Sequence, residues 1–168
     1  AMNQSIWIGF DPREADAFAV ARYSINRHLI TPIPVRGVVL TDLQARGIYT
    51  RPTEQKDGRL IDVLSRREDY DGAMSTQFAI SRFLVPYLAG SGLALFCDAD
   101  VLARDSLDKL FHWAERQPDN IAVWCVQHNH MPSGTTKMNG QSQVPYGRKN
   151  WSSVCLWRCS HPAVKALT

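Results

Sequence analysis

The first 40 residues contain two short apolar runs separated by a stretch with helical spacing. The runs over 5–10 and 35–40 are rich in β-forming residues and predict buried strands. Apolar residues recur at helical spacing over 11–29, which predicts a helix between the two strands. Asp11 can cap this helix, and Glu14 has the spacing that completes a capping box. Strand, helix and strand in this order indicate an α/β layer.

After residue 40 the apolar periodicity weakens, and it returns at about residue 76. The charged, glycine-containing stretch 41–72 predicts loops with a short helix over 60–67. Later patterns predict, in chain order, a helix over 76–88, a strand over 93–97, a helix over 107–115, and strands over 121–126 and 151–157. Ser75 or Thr76 is expected to cap the first of these helices, and Ser106 the second.

We therefore expect one α/β domain over residues 1–168, with an open mixed sheet flanked by helices. The polar stretch 129–150 predicts a surface loop. Residues 160–162 begin a helix that the chain barely continues. This favours a C-terminally truncated piece of a longer protein.

The composition and charge of the chain argue against some classes of binding partner. Apolar residues make up 45% of the chain and charged residues 21%, which is typical of a folded globular domain. The net charge is only +3, and charges of both signs are dispersed, so no nucleic acid or membrane-surface partner is expected. No stretch reaches the roughly 18 uninterrupted apolar residues of a membrane span, so no transmembrane segment is expected.

The four cysteines bear on the cellular environment. Cys97, Cys125, Cys155 and Cys159 have no spacing typical of a zinc knuckle or a CxxC redox pair. Cys97 and Cys125 lie in apolar runs, where a reduced thiol behaves as a small hydrophobe. The N-terminus lacks the basic-then-apolar layout of a signal peptide. We expect a reducing, cytoplasmic environment.

Two carboxylates, Asp98 and Asp100, follow directly after the apolar run 93–97. Like charges so close resist ionising together, and a hard divalent cation resolves that conflict. Ligands in open α/β sheets also bind at the carboxyl ends of strands. The alternative is a pair of solvated turn aspartates. The apolar residues on both sides of the motif favour a site that is held in place.

The chain resembles a known enzyme family at three segments in the right order. Residues 96–107, FCDADVLARDSL, resemble the D-x-D segment of GT-A-fold glycosyltransferases, in the family-8-like branch that includes glycogenin and lipopolysaccharide galactosyltransferases. Residues 75–88, STQFAISRFLVPYL, resemble the helix that precedes it in that branch. Residues 6–11, IWIGFD, resemble the first strand and the nucleotide-binding turn.

This resemblance implies a GT-A (Rossmann-like) fold and a glycosyltransferase activity. The donor would be a nucleotide-diphosphate sugar, with a UDP-sugar favoured, and the acceptor an unknown glycan, lipid or protein. The reaction would depend on Mn²⁺ or Mg²⁺ and would retain the anomeric configuration.

The resemblance also assigns roles to residues. Asp98 would contact ribose or metal, Asp100 would ligate the metal, and Arg82 would face the donor sugar or its diphosphate. The substrate-binding residues would be Phe10, Asp11, Arg13, Gln77, Ala99, Asn150 and Ser152. Simpler roles stay open for three residues: Asp11 as a helix cap, Arg13 as a solvated first-turn residue, and Arg82 as half of a structural ion pair.

The chain departs from the family at a late F-N-x-G strand, to which residues 149–154 are only a loose counterpart, and at a metal ligand. The family takes a third metal ligand, a histidine, from a late H-x-x-G-x-x-K-P-W-like segment, which this sequence does not contain. A non-catalytic or truncated nucleotide-sugar-binding module is therefore an alternative. A sugar nucleotidyltransferase is less favoured, because residues 8–13 have one glycine where that class has a glycine-rich phosphate loop.

Overall fold

The computed structural model describes residues 2–127 and 151–167 of the chain. The strands described there are β1 (Gln4–Gly9), β2 (Val35–Val38), β3 (Thr53–Lys56), β4 (Arg59–Asp62), β5 (Leu93–Cys97), β6 (Val123–Cys125) and β7 (Val154–Arg158). The α-helices are α1 (Ala15–His28), α2 (Leu40–Ala45), α3 (Val85–Ala89), α4 (Asp108–Glu115) and α5 (Pro162–Lys165). Short 3₁₀ turns cover Pro12–Glu14, Val63–Ser65 and Ser81–Leu84.

Five strands form one open mixed sheet in the order β2-β1-β5-β7-β6. Strand β1 runs parallel to both of its neighbours, β2 and β5. In contrast, β7 runs antiparallel to β5 on one side and to β6 on the other. The expected α/β architecture, a mixed sheet flanked by helices, is confirmed.

Side chains alternate between the two faces of the sheet, as the pleat requires. Ile6 and Ile8 of β1 pack with α1 and α4 in one apolar cluster. Trp7 of β1 and Phe96 of β5 point to the opposite face and pack with α3 and the segment before it. The sheet is therefore buried on both sides, which explains why β1 and β5 read as nearly continuous apolar runs.

The helix predicted over 60–67 is wrong. A hairpin of β3 and β4 occupies the start of this region, and a 3₁₀ turn follows it. The two strands are joined by Asp57 and Gly58, which have φ of 51° and 73°. Two consecutive residues with positive φ form the tight hairpin turn that Asp-Gly favours. The Asp-Gly pair was the signal that the sequence interpretation passed over.

The helix predicted over 76–88 is found only in its second half. Turns lead into a 3₁₀ segment at Ser81–Leu84, and α3 begins at Val85 with Pro86 in its first turn. Pro86 suits this first turn, because proline lacks the N–H that an interior position of a helix needs. The expected capping by Ser75 or Thr76 is wrong, since no helix begins there.

The other predicted elements are present with shifted ends. The strand expected over 35–40 stops at Val38 because Leu40 begins α2. The helix expected over 107–115 begins at Asp108, and the Ser106 hydroxyl accepts a hydrogen bond from the Asp108 N–H at 3.1 Å. The longest described helix, α1, has 14 residues, and none of the described helices has the length and apolar surface of a membrane span.

A buried carboxylate joins α4 to the loop that follows α1. The Asp108 side chain accepts hydrogen bonds from the backbone N–H groups of Ile30 at 2.9 Å and Thr31 at 3.0 Å. The hydroxyls of Thr31 and Ser106 also donate to it. Burial alone would raise the pKa of Asp108, but these hydrogen bonds outweigh it and hold the pKa well below its ordinary value.

We predict that Asp108→Ala lowers the free energy of unfolding by about 2–4 kcal/mol, because it leaves buried donors without an acceptor. The exposed Asp69 provides the control, and Asp69→Ala should change stability by less than about 0.5 kcal/mol. Urea unfolding at several pH values measures both. A depressed folded pKa means that Asp108 stabilises the fold above about pH 4, the unfolded pKa, and that this stability is lost as the pH falls through the folded pKa. A deficit in Asp108→Ala that does not shrink in acid would contradict the assignment.

Candidate functional site

The site lies where β1 and β5 end side by side. These strands are adjacent and parallel, with Ile8 opposite Cys97. The residues that follow them, Asp11 after β1 and Asp98 after β5, therefore emerge at the same edge of the sheet. This is the carboxyl edge, where open α/β sheets bind ligands.

Asp98 is held by an ion pair with Arg82. The Arg82 Nη1 lies 2.8 Å from Asp98 Oδ1, and both side chains are mostly buried. The Asp98 N–H donates to the carbonyl of Ser153 at 2.9 Å, so the end of β5 stays attached to the segment that leads into β7. Burial raises the pKa of the Asp98 carboxyl, while Arg82 and the Ser153 side chain oppose the rise and the nearby Asp100 adds to it.

The Arg82 guanidinium is fixed by several other contacts. Its centre lies 5.3 Å from the ring of Phe78 and 5.1 Å from the ring of Phe96, both at cation–π distance. Nη1 also donates to the Ser152 carbonyl at 2.9 Å, and Nε donates to the Phe78 carbonyl at 3.3 Å. The cation therefore has a set position between the 3₁₀ segment, β5 and the segment before β7.

The absence of a side chain at Gly9 leaves room for the ring of Phe78. A Cβ placed on Gly9, the last residue of β1, would lie 2.5 Å from ring atoms of Phe78. That separation is far inside van der Waals contact, so the ring of Phe78 packs directly on the β1 backbone.

Acidic residues gather near Asp100. Asp100 is exposed, and its charge acts on Asp98 and on Glu14. The pKa of Glu14 is raised by partial burial first, then by the charges of Asp11 and Asp100. The charge of Asp100 thus raises the pKa of two neighbouring acids, Asp98 and Glu14, and a divalent cation relieves repulsion of this kind.

Asp11 forms the second anchored group. Its buried carboxylate accepts hydrogen bonds from Arg13 Nε at 3.0 Å, Arg13 Nη2 at 2.7 Å and the Gln77 N–H at 3.0 Å. Arg13 Nη2 also donates to the Ser75 carbonyl at 2.8 Å. Burial would raise the pKa of Asp11, but the hydrogen bonds from Arg13 and Gln77 together hold it below its ordinary value.

The structure gives Asp11 its capping role in a modified form. Asp11 accepts a hydrogen bond from the Arg13 N–H at 3.0 Å and caps the 3₁₀ turn, not α1 itself. Glu14 occupies the cap position of α1 without a side-chain capping bond, so the expected capping box is wrong. The Asp11 carboxylate is instead occupied by Arg13 and Gln77.

The other residues expected at the site have varied surroundings. Phe10 donates its N–H to the Val38 carbonyl, and its ring packs edge-on against Phe18 at 5.2 Å. The Ala99 side chain is buried in the apolar cluster on the α1 side, so only its backbone could meet a ligand. Ser152 contacts Arg82 through its carbonyl and hydroxyl. Asn150 lies outside the described residues.

The sequence interpretation missed two residues of this edge. The sequence spacing predicts only a capping role for Glu14, although in the structure this residue also lies near Asp100. Ser153, which bonds Asp98 through its carbonyl and its side chain, was passed over beside Ser152. A strand neighbour across the sheet leaves no local spacing signal, so Ser153 could be found only from the pairing of β5 with β7.

The donor set suits a hard cation held by two carboxylates. Asp98 and Asp100 supply oxygen ligands of the kind that Mg²⁺ and Mn²⁺ prefer, and such ions often complete their shell with substrate phosphates. Within residues 2–127 and 151–167, no group of three or more His, Cys, Asp or Glu side chains is placed to hold a metal. A cation at this edge would therefore depend on the ligand for its remaining contacts.

The chain is similar to a curated plant protein whose name states no activity. The chain is 36% identical over 164 residues to Protein CDI of Arabidopsis thaliana. The match covers 97% of this chain and 56% of the plant protein, so the chain spans little more than half the length of that curated relative. No family model matches the chain. No solved structure matches it.

We predict that Arg82→Met lowers the free energy of unfolding at pH 7 by about 3 kcal/mol or more, because it leaves the Asp98 charge buried without its partner. The pKa of Asp98, already raised in the folded protein, rises further in this variant. A raised carboxyl pKa means that the folded state loses stability as the pH rises from the unfolded pKa, about 4, towards the higher folded pKa, so the deficit should grow as the pH is raised from 4. Urea unfolding across this range measures the effect.

Two further variants test whether the effect depends on the pair of Arg82 and Asp98. Arg22 on the exposed face of α1 gives the matched control, and Arg22→Met should be close to neutral. In Arg82→Met/Asp98→Asn the pH-dependent part of the deficit should disappear. Strictly additive single and double variants would show that the two side chains are not energetically coupled.

Proposed function

We propose that this chain is the nucleotide-sugar-binding core of a metal-dependent glycosyltransferase with a GT-A-type fold. The observation that carries the proposal is the convergence of Asp98 and Asp100, at the end of β5, with the anchored Asp11 at the end of neighbouring β1. The mixed sheet and the buried Arg82 beside these acids support the same conclusion.

The acidic pair has a defined task in this proposal. Asp98 and Asp100 would hold Mn²⁺ or Mg²⁺ together with the diphosphate of a UDP-sugar. Such a cation, when bound, supplies Lewis-acid stabilisation of the charge that grows on the departing diphosphate. Asp98 is partly buried and fixed by Arg82, whereas Asp100 is exposed, so Asp100 is the ligand that an arriving nucleotide complex can meet first.

Arg82 would act by position and charge. Its guanidinium is held before any ligand arrives, by two aromatic rings and by carbonyl acceptors at Phe78 and Ser152. A cation fixed in this way stabilises developing negative charge without reorganising, which is the main electrostatic contribution of a preformed site. The ion pair with Asp98 is compatible with this role, since one guanidinium has five N–H donors.

Asp11 and Arg13 would define the nucleotide end of the site. The Arg13 side chain is 44% exposed while Asp11 is fully buried beneath it, so the guanidinium is presented at the surface in a fixed direction. This arrangement, together with Gln77, would contact the base and ribose of the donor. An acceptor hydroxyl from a glycan, lipid or protein would then attack the anomeric carbon of the positioned sugar, with retention of configuration.

A binding module without catalysis is the second candidate. It is favoured by the observation that no three-ligand metal cluster exists among the described residues and that Asp98 is already paired with Arg82. The two candidates share a nucleotide-sugar ligand and differ in turnover. Slow hydrolysis of a UDP-sugar in the presence of Mn²⁺ distinguishes the enzyme from the module.

We predict that isothermal titration calorimetry shows UDP binding in Mn²⁺ and none in EDTA. Asp100→Asn should weaken the binding by about 100-fold, which corresponds to roughly 3 kcal/mol and is the scale of one lost interaction with a charged group. Asp100 is exposed, so this change leaves the fold intact.

The control is Asp69→Asn, the same chemical change at another exposed aspartate that pairs only loosely with Arg67 at 3.9 Å. It should bind UDP like the unchanged protein. Equal UDP affinity with and without metal would reject the metal-dependent site. Release of pyrophosphate from UTP and a sugar phosphate would instead identify a sugar nucleotidyltransferase.

A further inference from the structure

Two cysteines face each other across neighbouring strands. Cys125 at the end of β6 is opposite Cys155 in β7, and their Sγ atoms are 3.6 Å apart. A disulfide needs an S–S distance of about 2.0 Å, so the two sulfurs must approach each other by about 1.6 Å for the bond to form. Their positions follow from strand pairing and not from a local sequence motif.

The hydrogen-bond pattern of the strands sets the geometry of this pair. The Arg158 N–H donates to the Ala122 carbonyl at 2.9 Å, which makes these two residues a hydrogen-bonded pair. Antiparallel pairs alternate, so Cys125 and Cys155, three positions further along, form a non-hydrogen-bonded pair. In such pairs the Cα atoms are about 4.5 Å apart, within the range that a disulfide spans.

The two thiols differ in accessibility. Cys125 is exposed, whereas Cys155 is buried, and burial raises the pKa of Cys155 to about 12 with the neighbouring Cys125 adding to the rise. An oxidant from solvent therefore meets Cys125 first, and Cys155 is placed to resolve the oxidised form. Redox-sensor cysteines are exposed and often lie beside a resolving cysteine, and Cys125 has both of these features.

We propose that Cys125 and Cys155 form a reversible cross-strand disulfide. Peroxide would convert the Cys125 thiol to a sulfenic acid with release of water, and the Cys155 sulfur would displace a second water to form the S–S bond. In total, two thiols and one hydrogen peroxide give one disulfide and two waters. A small-molecule disulfide would give the same bond by exchange, with release of two small thiols.

The bond would form next to the segment that carries the Arg82 contacts. The Cys155 Sγ lies 3.8 Å from the Trp151 carbonyl, and Ser152 and Ser153 between them bond Arg82 and Asp98. The disulfide would join the ends of the chain segment 125–155 and restrict the unfolded chain. Oxidation should therefore stabilise the protein and slow amide exchange over 152–155. This inference does not depend on the proposed function.

The test is oxidation of the whole chain in glutathione buffers and, separately, in hydrogen peroxide. Peptide mapping without reductant should show one linked peptide pair that contains Cys125 and Cys155, with the loss of two hydrogens from the intact mass. The melting temperature should rise by about 5 °C or more and return to its starting value after reduction. Hydrogen exchange over 152–155 should slow in the oxidised form.

The exposed Cys125 supplies the diagnostic variant, because Cys125→Ser leaves the core unchanged. Under the same oxidation it should form no linked peptide and show no rise in melting temperature. Cys159→Ala, which changes a buried cysteine outside the pair, should still form the link. The inference is overturned if Cys125 ends as a mixed disulfide, a sulfinic acid or an intermolecular link while Cys155 remains a free thiol.

Discussion

The ion pair between Arg82 and Asp98 joins three parts of the chain that meet at the carboxyl edge of the sheet. Arg82 comes from the 3₁₀ segment before α3, Asp98 ends β5, and Ser152 precedes β7 and accepts from the same guanidinium. A mostly buried charge needs its partner, because either one alone would carry a desolvation cost without compensation. The positions of the 3₁₀ segment and of the two strand ends are therefore interdependent, and the exposed Asp100 lies two residues after the paired Asp98.

The parts of the fold that could be predicted are those whose apolar pattern is local and strong. β1, β5 and α1 lie close to where the sequence put them, because a sheet covered on both faces requires continuous apolar strands. The predictions are wrong where turn residues or contacts between distant segments, and not apolar periodicity, determine the backbone conformation. The Asp57-Gly58 turn folds the chain back within a charged stretch that offers little apolar periodicity. Residues 76–80 have helical spacing in the sequence but form turns in the structure. There, Phe78 packs on β1 and the Gln77 N–H binds Asp11.

In the candidate site, too, residues of a local motif could be predicted from the sequence, whereas residues brought together by the fold could not. The sequence shows that two acids follow an apolar strand, and in the structure they lie at the carboxyl edge of the sheet. The partner of Asp98 was left open, since an arginine 16 residues away could serve a ligand or a neighbouring acid; in the structure it bonds the acid. Glu14 and Ser153 could not be placed from spacing, because each reaches the site through strand adjacency.

The contact between Gly9 and the ring of Phe78 has a consequence for how the chain can vary. Position 9 carries no functional group, yet any side chain there would displace the ring on which the Arg82 cation rests and the carbonyl that its Nε binds. Natural variation at position 9 should therefore be narrow, although glycine has no side chain that could bind anything. A homologue with a bulkier residue there would need a smaller residue at 78, and the two positions should change together.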